Sequence, residues 1–286
     1  MSPGPTIFDR PLLRARRRRA ERLGPATFLL DRVALDLAER LSAVLRQFEH
    51  GADIGTPNDA LRRALSATGK VTPVAVIELG DDEVVPLAEG ALDLAVSALA
   101  LQFTNDLPGV LVQIRRALKP DGLFLAALLG GDTLTELRQA FAAAESELDG
   151  GLSPRVAPFA DIRDLGALLQ RAGFALPVVD SERVTVRYNS VFALMLDLRR
   201  MGATNALTER RRVPLKRATL LRMAEIYRER FADADRRLRA TFEIVFLSGW
   251  APHDSQQQPL KPGSAKTRLA DALGVPEIPA GEKTGR

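Results

Sequence analysis

The chain lacks cysteine altogether, and its only histidines are His50 and His253. The absence of cysteine excludes a disulfide framework, a thiolate metal site and a cysteine nucleophile, and it fits a reducing compartment best. Because the two histidines lie far apart in sequence, they do not predict a shared metal site. We therefore expect no metal centre.

Long apolar runs are also missing. No window reaches the about 18 consecutive apolar residues of a transmembrane helix, and no basic segment leads into an apolar signal core. We expect a soluble protein, cytoplasmic in a bacterium or in the mitochondrial matrix of a eukaryote. Of the 286 residues, 46% are hydrophobic and 27% charged, which is enough for one main domain with extensions.

Basic residues are abundant, and all but six of the 40 are arginine. Seven arginines fall in "DRPLLRARRRRAERL", residues 9–23, which has the apolar spacing of a helix. No aromatic stacking partners or base-reading polar residues accompany them, so we do not expect nucleic-acid binding. We interpret this segment as a helix face that is either solvated or paired within the protein. An alternative is that it steers the protein toward acidic protein or lipid surfaces, with at most peripheral membrane association.

Helical and strand-like segments alternate along the chain. Apolar spacing predicts helices over residues 28–48, 58–70, 106–118, 133–148, 161–173, 190–201 and 216–232. Apolar and β-branched runs predict strands over 51–54, 71–79, 91–99, 123–129 and 240–250, with two further runs around a polar turn in 176–188. This alternation predicts an α/β fold with a mostly parallel sheet and helices on both faces.

The same patterns predict three regions. Residues 1–48 form an N-terminal helical extension, and residues 49–250 form the main domain with a helical insertion at about 190–235, before the last strand. Residues 251–286 lack periodicity, so we expect an extended or disordered tail.

Several blocks of the sequence resemble one known family. They include "LDLAVSALALQFTNDLPGVLVQIRRALKPDGLFLAALLGGDTLTELR", "GGLSPRVAPFADIRDLGALLQRAGF" and "FEIVFLSGW", in order between residue 7 and about 266. The chain resembles the methyltransferase-like assembly factor 5 of respiratory complex I and its bacterial relatives. The resemblance implies the class I S-adenosylmethionine (SAM) methyltransferase fold, which is Rossmann-like with a seven-stranded sheet. It also implies modification of an arginine in an iron–sulfur subunit of complex I.

The loop after the first strand departs from this family. Where family members carry two or three glycines, this chain has Thr56, Pro57 and Asn58. Glycine allows positive φ and close backbone approach to a ligand, whereas proline fixes φ and removes one N–H donor. The loop can still turn, but it presents fewer amides to a cofactor.

The chain is also short between residues 55 and 81. One helix and one strand fit there, whereas the fold normally places two of each, and every crossover needs at least ~10–12 residues. Glu78 is the only acid left to accept the ribose hydroxyls of SAM, and it lies three residues before Asp81, which matches the adenine-facing position instead. We therefore expect SAM binding to be weak or lost.

Candidate cofactor residues follow from this resemblance. They lie after the first strand, after the shortened region and after the strand over 91–99, and they are Asp53, Gly55, Thr56, Asp81, Asp82, Ser97 and Gln102. Gln102 stands where methyltransferases often have histidine, so a histidine base is absent there. Each acid has an alternative as a helix cap or a solvated turn residue.

Candidate substrate residues are Asp132 and Thr133 in "GGDT". The paired glycines before them allow a close approach to a ligand at the carboxyl edge of the sheet. The alternative is structural, because Thr133 and Glu136 have the spacing of a capping box for the next helix. No catalytic residue is assigned.

The functional expectation is a SAM-dependent, methyltransferase-like enzyme, either a methyltransferase or a SAM-associated hydroxylase. Its substrate would be a protein, and the resemblance implies an arginine in a quinone-module subunit of complex I. One alternative is a non-catalytic assembly chaperone with a degenerate SAM site. The other is a small-molecule methyltransferase of the biotin-pathway type.

Overall fold

The computed structural model describes residues 6–257 together with Asp271 and Gly274. The chain divides into two compact units, Met1–Pro252 and His253–Arg286. In the second unit, a turn brings the Ser255 hydroxyl to 2.6 Å from the ring Nδ1 of His253. Most of the predicted tail over 251–286 lies outside the described residues, so that expectation stays a prediction.

One six-stranded sheet organises the first unit. Its strands are β1 Gly51–Ile54, β2 Val74–Ile77, β3 Leu92–Ala98, β4 Leu118–Leu129, β5 Ala175–Tyr188 and β6 Leu238–Trp250. They lie in the order β2-β1-β3-β4-β6-β5. The strands β2, β1, β3 and β4 are parallel, and β6 runs antiparallel to both β4 and β5. The sheet is therefore mostly parallel and ends in an antiparallel pair.

Helices cover both faces of this sheet. They are α1 Arg10–Arg22, α2 Phe28–Ser42, α3 Ala60–Ala67, α4 Leu107–Ala117, α5 Thr135–Leu148, α6 Ile162–Arg171, α7 Val191–Arg200 and α8 Arg217–Phe231. Along β3, Leu94 and Val96 join the core under α2, α5 and α8, whereas Ala95 joins the core under α4 and α6. This alternation follows from the two-residue period of a strand. The predicted α/β layers and the helical insertion before the last strand are confirmed.

Two element predictions were wrong. The polar stretch of residues 180–182 is not a turn but part of the continuous strand β5, where it pairs with residues 244–246 of β6. Asp180 faces α2 there and receives two hydrogen bonds from Arg40, at 2.6 and 2.8 Å. The helix predicted to reach Phe48 ends at Ser42, because Phe48 forms a parallel bridge with Val71 and is buried.

The edge of the sheet at β2 shows the consequence of the short region. Between residues 55 and 81 the structure contains only α3 and β2, and among the described residues one strand lies outside β1 where the resemblance implies two. As an edge strand, β2 leaves Val76 55% exposed. The glutamate that follows it, Glu78, is exposed as well.

Candidate functional site: a cavity at the carboxyl ends of the strands

A cavity of about 880 Å³ lies at the carboxyl ends of the central strands. Its floor includes Leu99 and Gln102 after β3 and Leu129 at the end of β4, and the first loop contributes Pro57 and Asn58. The opposite wall consists of α1, α7 and the segment that follows α7. Open α/β sheets bind ligands at this edge, so the cavity is the candidate site.

Asn105 anchors the N-terminal segment beside this cavity. Its side-chain oxygen accepts the N–H groups of Ile7 at 2.8 Å and Phe8 at 2.7 Å, and its amide nitrogen donates to the Phe8 carbonyl at 3.2 Å. The buried Glu83 in turn accepts the N–H groups of Asn105 and Asp106. The "NDLPG" block therefore positions the N-terminal wall of the cavity.

Arg10 fixes the start of α1 to two loops. Its guanidinium donates to the carbonyls of Leu79 at 3.0 Å and Gly80 at 3.1 Å, after β2, and of Phe103 at 3.2 Å, after β3. Burial lowers the pKa of Arg10, while Glu83, 3.7 Å away, opposes that shift. The first of the seven arginines is therefore paired inside the protein, in agreement with one of the two interpretations of this helix.

The candidate cofactor residues of the first loop are engaged within the protein. Asp53 is 1% exposed and accepts a hydrogen bond from Arg62 Nη1 at 2.8 Å. Burial raises the pKa of the Asp53 carboxyl, with Arg62 acting in the opposite direction. Gly55 has a φ of 74°, and a Cβ atom there would lie 3.3 Å from that of Ala100. The Thr56 hydroxyl accepts the N–H of Ala98 at 3.0 Å.

Three further candidates, Asp81, Asp82 and Ser97, also have partners within the protein. Asp81 forms an ion pair with Arg14, and Asp82 accepts the N–H of Val84 at 3.3 Å. Ser97 is buried and donates to the carbonyl of Ile54 at 2.7 Å, so it joins β3 to β1.

Gln102 alone among the seven lines the cavity. Its amide nitrogen donates to Leu99 at 2.9 Å, and within the described part of the chain its buried Oε1 has no hydrogen-bond partner. The residues near Gln102, where the methionine end of SAM would lie, therefore fit the cofactor. The residues at its ribose and adenine end fit it less well. The cofactor roles stay predictions.

Asp132 and Thr133 have structural roles other than the expected caps. The Thr133 hydroxyl donates to the Glu243 carbonyl at 3.2 Å and accepts the Glu243 N–H at 3.1 Å. Asp132 forms an ion pair with Arg183. Glu136 accepts hydrogen bonds from Thr241. The capping interpretation is wrong, because β6 supplies these partners and no side chain caps the start of α5. Neither Asp132 nor Thr133 lines the cavity, so their substrate role stays a prediction.

Two polar residues of the cavity were not identified from the sequence. Arg17 on α1 lies with its guanidinium carbon 6.0 Å from the Phe103 ring centroid, and burial lowers its pKa to about 10. Thr204, in the segment after α7, has a buried hydroxyl without a hydrogen-bond partner among the described residues. Arg17 could have been found from its spacing, because it shares a helix face with the buried residues Leu13 and Ala20.

The described residues contain neither a metal-binding cluster nor a membrane-spanning helix. No group of three or more His, Cys, Asp and Glu residues there is arranged to hold a metal ion. In the same part of the chain, no helix is both long enough and apolar enough to cross a membrane.

Comparisons with known proteins connect the chain to SAM-dependent enzymes. A methyltransferase domain matches residues 32–126. The chain is 38% identical to the mouse (Mus musculus) protein named arginine-hydroxylase NDUFAF5, mitochondrial, over 97% of this chain and 87% of the relative. The human protein of the same name is 36% identical over the same shares. The malonyl-[acyl-carrier protein] O-methyltransferase of Laribacter hongkongensis is 43% identical over 64% of this chain and 59% of the relative.

A solved structure supports the fold independently. A Bacillus halodurans protein assigned as a methyltransferase superposes with a TM-score of 0.51 at 16% identity, covering 77% of this chain and 99% of its own. That likeness concerns the fold alone. The methyltransferase domain implies SAM as the cofactor. The chain belongs to the family of the arginine-hydroxylase NDUFAF5, and it is a SAM-methyltransferase-like enzyme with the class I fold that the sequence predicted.

Proposed function

We propose that this enzyme uses SAM to modify an arginine side chain of a protein client, an iron–sulfur subunit in the quinone module of complex I. The observation that carries this proposal is the extent of the similarity to the arginine-hydroxylases. It spans 97% of the chain and therefore includes α7, which lines the cavity, and α8. The similarity to the malonyl-[acyl-carrier protein] O-methyltransferases spans only 60–64% of the chain.

Weak SAM binding is part of this proposal. When bound, SAM supplies a methyl group activated by its sulfonium centre. Gln102 would hold the methionine end, and Asn58 lines the same cavity. The Asp53 carboxylate is already paired with Arg62, and Asp81 with Arg14. If SAM makes two fewer charge-assisted hydrogen bonds as a result, at ~1.5–3 kcal/mol each, its affinity falls by a factor on the order of 10² or more.

The rim of the cavity fits a protein client. Phe192 and Leu196 on α7 line the cavity and remain 46% and 52% exposed. Arg199 on the same helix is exposed and lines the cavity as well. An apolar patch beside exposed positive charge suits an acidic protein surface, because the apolar groups gain by burial and the charges raise the encounter rate. The client would be met where complex I is assembled, in the bacterial cytoplasm or the mitochondrial matrix.

The charge of the cavity supports a second candidate function. Five arginines line it against one acid, Glu21, and they are Arg16, Arg17, Arg155, Arg199 and Arg200. This charge balance favours a carboxylate over a guanidinium as the bound group. Carboxyl methylation is the activity named for the malonyl-[acyl-carrier protein] O-methyltransferases. For such chemistry SAM, held at its methionine end by Gln102, would supply the methyl group to a carboxylate oxygen, and S-adenosylhomocysteine would be the second product.

Co-purification with the native partner tests these functions. Calorimetry measures SAM binding, and mass spectrometry of the client shows which atoms are gained. An arginine that gains one oxygen supports hydroxylation, and one that gains a methylene equivalent supports methylation. A base-labile methyl ester on a small acid or carrier-bound acid would replace the first candidate by the second. A client bound without any SAM binding would make the protein a non-catalytic assembly chaperone.

A further inference from the structure

We propose that Arg17 binds a carboxylate inside the cavity, with Gln102 and Thr204 as polar partners of the same ligand. The carboxylate has two possible sources: the methionine end of SAM, or an acidic substrate beside it. The first source rests on the proposed function, because it requires SAM to occupy the cavity. The site itself is marked by side chains with polar groups that have no partner among the described residues.

Arg17 is the central residue of this site. A guanidinium carries five N–H donors and stays charged at neutral pH. In residues 6–257 the structure gives Arg17 neither a hydrogen bond nor an ion pair, and its closest described interaction is with the face of the Phe103 ring. A partly buried charge without a partner is unfavourable, and a carboxylate from a ligand would relieve that cost.

The other arginines of the cavity differ from Arg17. Arg155 Nε donates to Glu145 Oε1 at 2.8 Å, and Arg200 Nε donates to the Gly24 carbonyl at 2.6 Å. Arg16 donates to the Asn205 carbonyl, and Arg199 is exposed. Arg17 is therefore the one of the five arginines that is partly buried and makes no hydrogen bond or ion pair among the described residues.

Two neutral groups complete the site. The Oε1 of Gln102 can only accept, so it calls for an N–H donor on the ligand. The buried hydroxyl of Thr204 can donate or accept. Both line the cavity with Arg17. A ligand that carries a carboxylate near an N–H group satisfies all three, as the amino-acid end of SAM does.

Binding measurements with two probes test the site. The first probe pair is SAM and decarboxylated SAM, which differ in the carboxylate alone, and the second probe is malonate. Each is titrated into the wild type, Arg17→Gln and Arg19→Gln. The control removes the same charge from an exposed position on α1 that does not line the cavity. Thermal unfolding shows that each variant is folded.

The two sources give different results. If Arg17 holds the SAM carboxylate, Arg17→Gln weakens SAM at least ~10-fold and leaves decarboxylated SAM unchanged. If it holds a substrate carboxylate, the same change abolishes malonate binding and leaves SAM unchanged. The proposal is overturned if Arg17→Gln behaves like Arg19→Gln with both probes, or if neither probe binds the wild type. Malonate binding that depends on Arg17 without any SAM binding would overturn the proposed function and keep the site.

Discussion

Arg62 on α3 donates a hydrogen bond of 2.8 Å to the carboxylate of Asp53 at the end of β1. Asp53 is the acid that the resemblance assigns to the cofactor, yet its side chain is 1% exposed and absent from the wall of the cavity. Its second oxygen has no hydrogen-bond partner within the described chain. The first-strand acid therefore forms an internal ion pair that joins the end of β1 to α3.

The Asp53 carboxyl should make stability depend on pH. Burial raises the pKa of the Asp53 carboxyl in the folded protein above the ordinary 3.8. Its contribution to the free energy of unfolding is therefore fully present below pH 3.8 and is lost as the pH rises through the folded pKa. Asp53→Asn should therefore gain stability relative to the wild type as the pH rises. Urea unfolding at several pH values measures this difference. Asp59→Asn controls for loss of an exposed acid beside α3, and a difference that does not change with pH would contradict the expectation.

Glu145 should show the opposite pH dependence. Burial alone would raise its pKa, but hydrogen bonds from Ser153 and Arg155 outweigh burial and hold the pKa below its ordinary value of 4.5. Its stabilisation is present above pH 4.5 and is lost as the pH falls through the folded pKa. Glu145→Gln should cost about 3 kcal/mol at neutral pH, because it leaves Arg155 without its charged partner.

Urea unfolding checks this prediction. The matched control is Glu147→Gln, which removes an exposed glutamate on the same helix that pairs with Arg222. The Glu145 variant should lose more stability than the control and should flatten the acid limb of the pH profile. Equal losses in the two variants would show that burial of the Glu145 pair adds nothing to stability.

Variants of the Asp132–Arg183 ion pair distinguish a structural role of Asp132 from contact of its carboxylate with the substrate. Both side chains are at least half exposed, so Asp132→Asn should cost well under about 1 kcal/mol. Arg183→Gln breaks the same pair from the other side and is the matched control. If only the Asp132 variant loses activity at an unchanged melting temperature, its carboxylate contacts the substrate. Equal loss in both variants would assign the effect to the ion pair.

Asn105 should control the order of the cavity wall. Asn105→Ala removes three hydrogen bonds to Ile7 and Phe8, so the segment that leads into α1 should exchange its amide hydrogens faster. Hydrogen exchange measured by mass spectrometry over residues 7–22 checks this, with SAM affinity expected to fall in parallel. Gln139→Ala, an exposed amide on α5, is the control. Unchanged protection would show that the antiparallel bridge between Phe8 and Leu207 suffices to hold the segment.

Much of the fold followed from local patterns in the sequence. The strand over residues 51–54 has the predicted bounds, and the helix predicted over 106–118 is observed as α4, Leu107–Ala117, with Asp106 as its cap. The short interval between residues 55 and 81 holds one helix and one strand, as its length predicted. These features depend on residue spacing and chain length, so neighbouring residues are sufficient to specify them.

The tertiary structure decided the rest, because distant partners compete with local ones. Thr133 and Glu136 have the spacing of a capping box, but they bond Glu243 and Thr241 of β6 instead. The sequence identified the arginine-rich helix, yet it could not show that Arg17 points into a cavity at the end of β3. That position results from packing α1 against α7 and against Phe103 after β3, which are distant in the sequence, and no local pattern encodes which polar groups such packing leaves unpaired.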